Sequence, residues 1–240
     1  MSAIRWLTSE AEPDAFPAPD QALEEPNGLL AAGGDLRTER LLSAYRRGIF
    51  PWYERGQPIL WWSPDPRAVL FPSELRVTRS LRRVVRRGTF AITADVAFRD
   101  VITACAAPRN YGAETWITSE MATAYRRLHR LGWAHSFEAW QDETLVGGLY
   151  GVAIGRVFCG ESMFARVSDA SKSAFVAAVN YLAARGFELI DCQIASPHLL
   201  SLGATDVPRE GFLAMLAKWA GGPRWPPSWT TDFARWSASQ

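Results

Sequence analysis

The 240-residue sequence is 48% hydrophobic, enough for one large domain or a main domain with a smaller companion, and too apolar for a disordered chain. Its net charge of +1 marks no partner by bulk electrostatics, and no apolar run approaches the ~18 residues of a membrane span. Three widely spaced cysteines, Cys105, Cys159 and Cys192, argue for reduced thiols and against a disulfide framework or a zinc site.

The N-terminal MSAIRWLTSEAEPDAF has no basic segment followed by an apolar one, so no export signal is expected and the cytoplasm is the expected compartment. Residues 1–62 read as a small N-terminal domain. FPAPDQALEEPNGLLAAGGDL is crowded with turn formers. One helix follows, with Asp35 as a candidate N-cap, Leu41, Leu42 and Tyr45 inward, and Gly48 closing it. FPWYERGQPILWWSPDP then sets Trp52, Tyr53, Trp61 and Trp62 between prolines. Such aromatics either plug one domain against another or offer stacking platforms to a nucleobase. Packing is expected for Trp61 and Trp62, and Trp52 is left open.

Residues 63–240 read as the larger domain. RAVLFP is a strand. RVTRSLRRVVRR carries six arginines without an acid (Arg76, Arg79, Arg82, Arg83, Arg86 and Arg87), on a helix capped by Thr78 or Ser80 with Leu81, Val84 and Val85 inward. The run is either a solvated face or a phosphate-binding stripe. TFAIT is a strand, DVAFRDVITACA a helix, PRNYGAETW a loop, and 118–131 a helix ended by Gly132. HSFEAW, LVGGLYGVAI and RVFCGESMF form a three-strand meander with turns at Asp142-Glu143 and Gly155. Glycines at 147, 148, 151, 155 and 160 weaken strands, so bends or close approaches are expected there. A helix over 169–185 follows, capped by Ser168 or Asp169, with Phe175, Val179 and Leu182 on one stripe and Gly186 past its end. Strand 187–193 ends in Asp191 and Gln193, expected on one face. A helix near 208–219 precedes a tail, GGPRWPPSWTTDFARW, too rich in Pro and Gly to be regular.

Helices, then an antiparallel meander, then a helix and a strand form the order of an N-acetyltransferase-type (GNAT-type) acyltransferase fold. The class is α+β with a mixed, largely antiparallel sheet. The loop opening the helix after the meander, ARVSDASK, has no glycine, which argues against a CoA pyrophosphate cradle. His129, His135 and His198 lack metal-ligand spacing, and no nucleophile elbow or Walker loop is present. A Cys/His nucleophile built on Cys159 or Cys192 lacks its expected surroundings.

The blocks EPNGLLAAGGDL, RLLSAYRRGIFPWY, ILWWSPDPRAVLFP, ETWIT, LVGGLYGVA, FCGESMF, DASK, LIDCQ and SLGA resemble the leucyl/phenylalanyl-tRNA–protein transferases, over roughly residues 16–213. That resemblance implies a small N-terminal domain beside an acetyltransferase-like one. It also implies transfer of leucine or phenylalanine from aminoacyl-tRNA to the α-amine of proteins beginning with Arg or Lys, marking them for the N-end rule. No cofactor, metal or membrane is implied. Position by position, Tyr45, Trp52 and Trp116 match aromatics that handle the terminal adenosine. Glu161, Asp191 and Gln193 match the polar centre where ester and amine meet. Leu149, Phe158, Met163, Phe175 and Ile190 match the donor side-chain pocket, whose weak discrimination of a methylene should admit methionine too. The chain departs from the family at Ala165, often Ser there, and at Asp169, often Asn. The six arginines are then candidate tRNA phosphate contacts. The alternatives left open are a CoA-dependent N-acyltransferase and a non-catalytic module that binds RNA or protein N-termini.

Overall fold

Short strands, not irregular chain, build the N-terminal region in the computed structural model, which describes residues 4–107, 116–222 and 224–240. β1 (Arg5–Leu7), β2 (Leu29–Gly33), β3 (Phe50–Pro51) and β4 (Leu60–Trp62) form a four-stranded sheet in the order β1-β2-β4-β3. Strands this short display too few residues for a period of two to show in the sequence, so only their turn formers were legible. α1 (Thr38–Arg46) buries Leu41, Leu42 and Tyr45 as its spacing implies. Asp35 is not its cap. Arg37 holds that position, and the Asp35 carboxylate accepts from the Arg37 amide at 2.8 Å and pairs with Arg40. Trp61 is wholly buried, donates to the Gly33 carbonyl at 2.9 Å and meets Phe16 edge-on, whereas Trp52 is 41% exposed.

The larger sheet has seven strands: β5 (Arg67–Leu70), β6 (Ala91–Ala94), β7 (Ala134–Gln141), β8 (Thr144–Ile154), β9 (Val157–Ala165), β10 (Leu189–Gln193) and β11 (Thr205–Val207), in the order β11-β5-β10-β9-β8-β7-β6. β9 pairs with β10 in parallel and the other described pairings are antiparallel, the mixed sheet that the element order implies. Asp142 and Glu143 both adopt left-handed φ values, 48° and 60°, which fits the two-residue turn joining β7 to β8. At Gly155, between β8 and β9, a Cβ would lie 2.4 Å from the Trp219 carbonyl, so no side chain fits.

Helices cover both faces of this sheet: α2 (Arg79–Arg86), α3 (Phe98–Cys105), α4 (Ser119–Arg130), α5 (Ala170–Ala184), α6 (Pro197–Ser201), α7 (Arg209–Trp219) and α8 (Thr230–Ser237). Thr78 and Thr118 cap α2 and α4, accepting from the amides of Leu81 and Met121. In α2, Leu81 is buried and Val84 half-buried, but Val85 is exposed, because this two-turn helix meets the body along one narrow edge against α5. All six arginines of the basic run are exposed. α5 buries Phe175, Val179 and Leu182, and Gly186 takes a left-handed φ of 78° past its end. Its expected side-chain cap is absent. Asp169 stands at the cap position with φ 64°, a conformation Asp and Asn tolerate, and its carboxylate pairs with Lys172 at 3.4 Å.

The tail is also more regular than its composition implies. Trp229 is 1% exposed, stacks on His135 with ring centroids 3.6 Å apart and donates its amide to the Asp95 carboxylate. α8 then buries Phe233, which meets Phe137 edge-on. Aromatic anchors after Pro227 outweigh the Pro and Gly before it. The expected loop PRNYGAETW lies outside the described residues except for Trp116. No helix among the described residues is long and apolar enough to cross a membrane.

Candidate active site

The site forms where the parallel pair of the large sheet comes apart. β10 follows β9 only as far as the Asp191–Cys159 pair, while β9 continues to Ala165 against β8. Between the diverging strands lies a cavity of about 540 Å³. Leu149, Met163, Phe175, Ile190 and Leu199 supply its apolar wall, and Glu161, Ser162, Gln193, Ser196 and His198 its polar groups, with Trp116 also on the lining.

Two β-bulges aim its central side chains. Opposite β8, Tyr150 faces Ser162 and Gly151 faces Gly160, so Glu161 is the extra, unpaired residue. A Cβ at Gly151 would lie 2.3 Å from the Cys159 carbonyl, so glycine lets the two backbones close up beside this bulge. In β10, Asp191 faces Val69 and Gln193 faces Ala68, leaving Cys192 extra and Gln193 at a left-handed φ of 62°. Bulges re-aim side chains that simple alternation would send elsewhere. As a result Gln193 Nε2 donates to Glu161 Oε1 at 2.9 Å across the split.

Behind Glu161 stand two phenols. The Tyr125 hydroxyl donates to Glu161 Oε2 at 2.8 Å and meets the Tyr45 hydroxyl in a short hydrogen bond. The surrounding protein withdraws the carboxylate from water and pushes Glu161 up to about 7, against the opposing pull of the Tyr45 and Tyr125 hydroxyls. The Asp191 charge raises it further, and the Gln193 hydrogen bond lowers it. Glu161 nevertheless keeps part of its surface open to the cavity. Burial, with the charge of Glu161, holds both phenols well above their ordinary range, so they act as neutral donors.

Asp191 is differently placed. The second bulge breaks the alternation that would set it on one face with Gln193, and Asp191 does not line the cavity. It is 1% exposed and held by Arg67, whose Nε donates to Oδ1 at 2.8 Å and a terminal nitrogen to Oδ2 at 2.7 Å. Oδ1 also accepts from the Gln193 amide at 2.9 Å. Its charge is therefore matched by Arg67 inside the protein and is not open to the cavity.

Of the other expected residues, Leu149, Met163, Phe175 and Ile190 line the cavity together, and Trp116 joins them. Phe158 is buried among Phe137 and Trp229 and is not on the lining. Tyr45 is 2% exposed and offers no ring face for stacking. Trp52 stands off the cavity, tilted against Trp62 at 5.7 Å. Burial raises the thiols of Cys159 and Cys192, which keeps them protonated and poor nucleophiles. Sequence reasoning missed Tyr125 and Arg67. Their traces were faint: one tyrosine on the apolar face of α4, and an arginine heading the buried run RAVL as an aspartate closes the buried run LID.

The sequence matches the family model for leucyl/phenylalanyl-tRNA protein transferase over residues 69–217 and the model for that family's N-terminal domain over residues 34–65. A leucyl/phenylalanyl-tRNA–protein transferase of Aromatoleum aromaticum is 58% identical over 231 residues, 96% of each chain. One from Stutzerimonas stutzeri is 60% identical over 214 residues, covering 89% of this chain and 94% of the relative. Among solved structures, a GCN5-related N-acetyltransferase from Kribbella flavida aligns with 69% of this chain and 58% of its own at 11% identity, with a TM-score of 0.37.

Proposed function

The chain belongs to the leucyl/phenylalanyl-tRNA protein transferase family, and we propose that it transfers leucine or phenylalanine, and methionine as well, from aminoacyl-tRNA to the α-amine of proteins beginning with Arg or Lys. The product is a protein marked for N-end rule degradation in the cytoplasm. The observation that carries this reading is a cavity with an apolar wall and the Glu161–Gln193 pair on its polar side. An apolar wall receives a leucyl, phenylalanyl or methionyl side chain, and the pair faces the ester carbonyl and the incoming amine.

The reaction is aminolysis of an activated ester and proceeds without a covalent enzyme intermediate. The neutral α-amine attacks the ester carbonyl, a C–N bond forms, the bond to the ribose oxygen breaks, and one proton passes from the amine to that oxygen. Glu161 suits the proton transfer. At about 7 its carboxyl lies within roughly a unit of a protein α-amine near ~7.7–8.0, whereas an ordinary Asp at ~3.9 is a poor match. Gln193, bonded through Nε2 to Glu161 Oε1, keeps the carboxylate oriented, and Tyr125 steadies the other oxygen. The ionised carboxylate also favours an acceptor bearing two positive charges. For the donor, Trp116 on the cavity and Trp52 on the N-terminal surface serve the adenine by stacking. The arginines of α2 and its approach serve phosphates without reading sequence. A loop without glycine before α5 speaks against a CoA donor.

Radiolabelled Leu-tRNA or Phe-tRNA, mixed with a peptide beginning with Arg, tests the reading. Label should pass to the peptide and the transfer should vanish after ribonuclease. Equal transfer from acyl-CoA, or binding of both partners with no transfer, would overturn it.

A further inference from the structure

We infer that Arg67 is a positioning residue of the transfer reaction, tying the N-terminal region that carries Trp52 to the strand end that carries Gln193. Arg67 opens β5 and is 1% exposed, yet its guanidinium leaves few groups idle. Two nitrogens grip both oxygens of Asp191, and a third donates to the Gly48 carbonyl at 3.2 Å. The rings of Phe50 and Phe212 flank it at 4.7 and 4.6 Å. Gly48 and Phe50 belong to the turn and strand that lead directly into Trp52, whose amide is bonded to the Leu60 carbonyl. On the far side, Asp191 Oδ1 accepts the Gln193 amide, and Gln193 reaches Glu161. A planar fork of five N–H donors makes this junction, and a lysine cannot reproduce it.

The conformation of Gln193 gives the clamp something to hold. Its φ of 62° is sparsely populated for a side-chain-bearing residue and persists only when neighbouring groups over-determine it. The Asp191 carboxylate supplies that determination only while its own orientation is fixed, and the fixing group is Arg67. Release of the fork lets Asp191 rotate, relaxes Gln193 and removes the amide from Glu161. Since that hydrogen bond lowers the Glu161 pKa, its loss moves Glu161 further above about 7.

This inference rests on the reading of Glu161 and Gln193 as the reaction centre, so wild-type transfer from Phe-tRNA to a peptide beginning with Arg is the first arm. Absence of that transfer sinks the reading itself, independently of Arg67. The second arm is Arg67→Lys, which retains the charge and loses the fork. Its single-turnover rate at saturating donor and acceptor should fall by ~10²-fold, the scale of a misplacement near an ångström, with the acceptor KM little changed. The acid limb of its pH–rate profile should move to higher pH. Wild-type rate with an unmoved limb overturns the proposal. The third arm is Arg67→Met with Asp191→Leu, which removes the buried pair as a unit, a change that typically leaves stability equal or higher. A folded, slow double variant supports the assignment. A double variant that transfers at the wild-type rate, or that no longer folds, reduces the pair to a structural tie and overturns it.

Discussion

Two carboxylates stand at two bulges in neighbouring strands, Asp191 buried and Glu161 half-buried, and their surroundings give them opposite characters. Asp191 faces a guanidinium that matches its charge and geometry, in a layer closed to water. Among the described residues Glu161 faces neutral donors, two phenols and an amide, and it keeps an opening to the cavity. Hydrogen bonds from neutral groups offset the loss of hydration only in part, so its proton is held up to about 7. A full counter-charge makes a carboxylate an anchor. Its absence leaves a carboxylate ready to exchange a proton with an amine. Sequence position does not distinguish them, since both are polar interruptions of apolar strands.

The widest separation of the two roles should come from Glu161→Gln. Removing a general base lowers single-turnover transfer by ~10²–10⁴-fold at saturating substrates. In the wild type the rate should fall as pH drops through about 7, because the base works only when deprotonated. Stability supplies the converse reading. Glu161 ionises near 4.5 when unperturbed and near 7 when folded, so between these values the folded chain holds the extra proton and loses stability as pH rises. Glu161→Gln should therefore match or exceed the wild-type denaturation midpoint at pH 8 and lose that advantage near pH 4.5. A midpoint lower than wild type at pH 8 would mean that Glu161 is structural.

Asp191→Asn should show the opposite pattern. It leaves Arg67 as a buried cation without its counter-charge, a defect of ~3–5 kcal/mol in urea unfolding. If Asp191→Asn unfolds at the wild-type urea concentration, the anchor assignment is wrong. A smaller effect sharpens the apolar wall of the cavity. Met163→Trp overpacks it by ~1–3 kcal/mol, which should penalise Phe-tRNA more than Leu-tRNA. An unchanged Phe/Leu ratio would remove Met163 from the donor pocket. The mildest effect belongs to the exposed arginines of α2. Replacing Arg82, Arg83, Arg86 and Arg87 by Ala should flatten the log–log salt dependence of tRNA binding by ~0.7–0.9 for each phosphate no longer neutralised. Transfer from a minimal aminoacyl-adenosine donor should hardly change. An unaltered salt slope would leave the basic run as a solvated face.

The sequence by itself determined the elements whose signals are local. Thr78 marks a helix start by capping the amide of Leu81, and Gly186 marks an end by its left-handed backbone. The meander follows from three strand-length runs and two turns, and the α5 stripe from its spacing. Family-specific blocks also marked Glu161 and Gln193 and, of the five residues expected in a donor pocket, the four that lie on the lining. Only the tertiary structure decided the rest, because it depends on registers between distant segments. The bulge at Glu161 exists only against β8, and the one at Cys192 only against β5, far earlier in the chain. These registers reverse the faces that a period of two assigns, sending Asp191 to Arg67 and Gln193 to Glu161. Burial of Phe158, exposure of Val85, and the docking of Trp229 on His135 are likewise properties of what packs against each residue. A proton affinity such as that of Glu161 is set last of all, by the water that the assembled elements exclude.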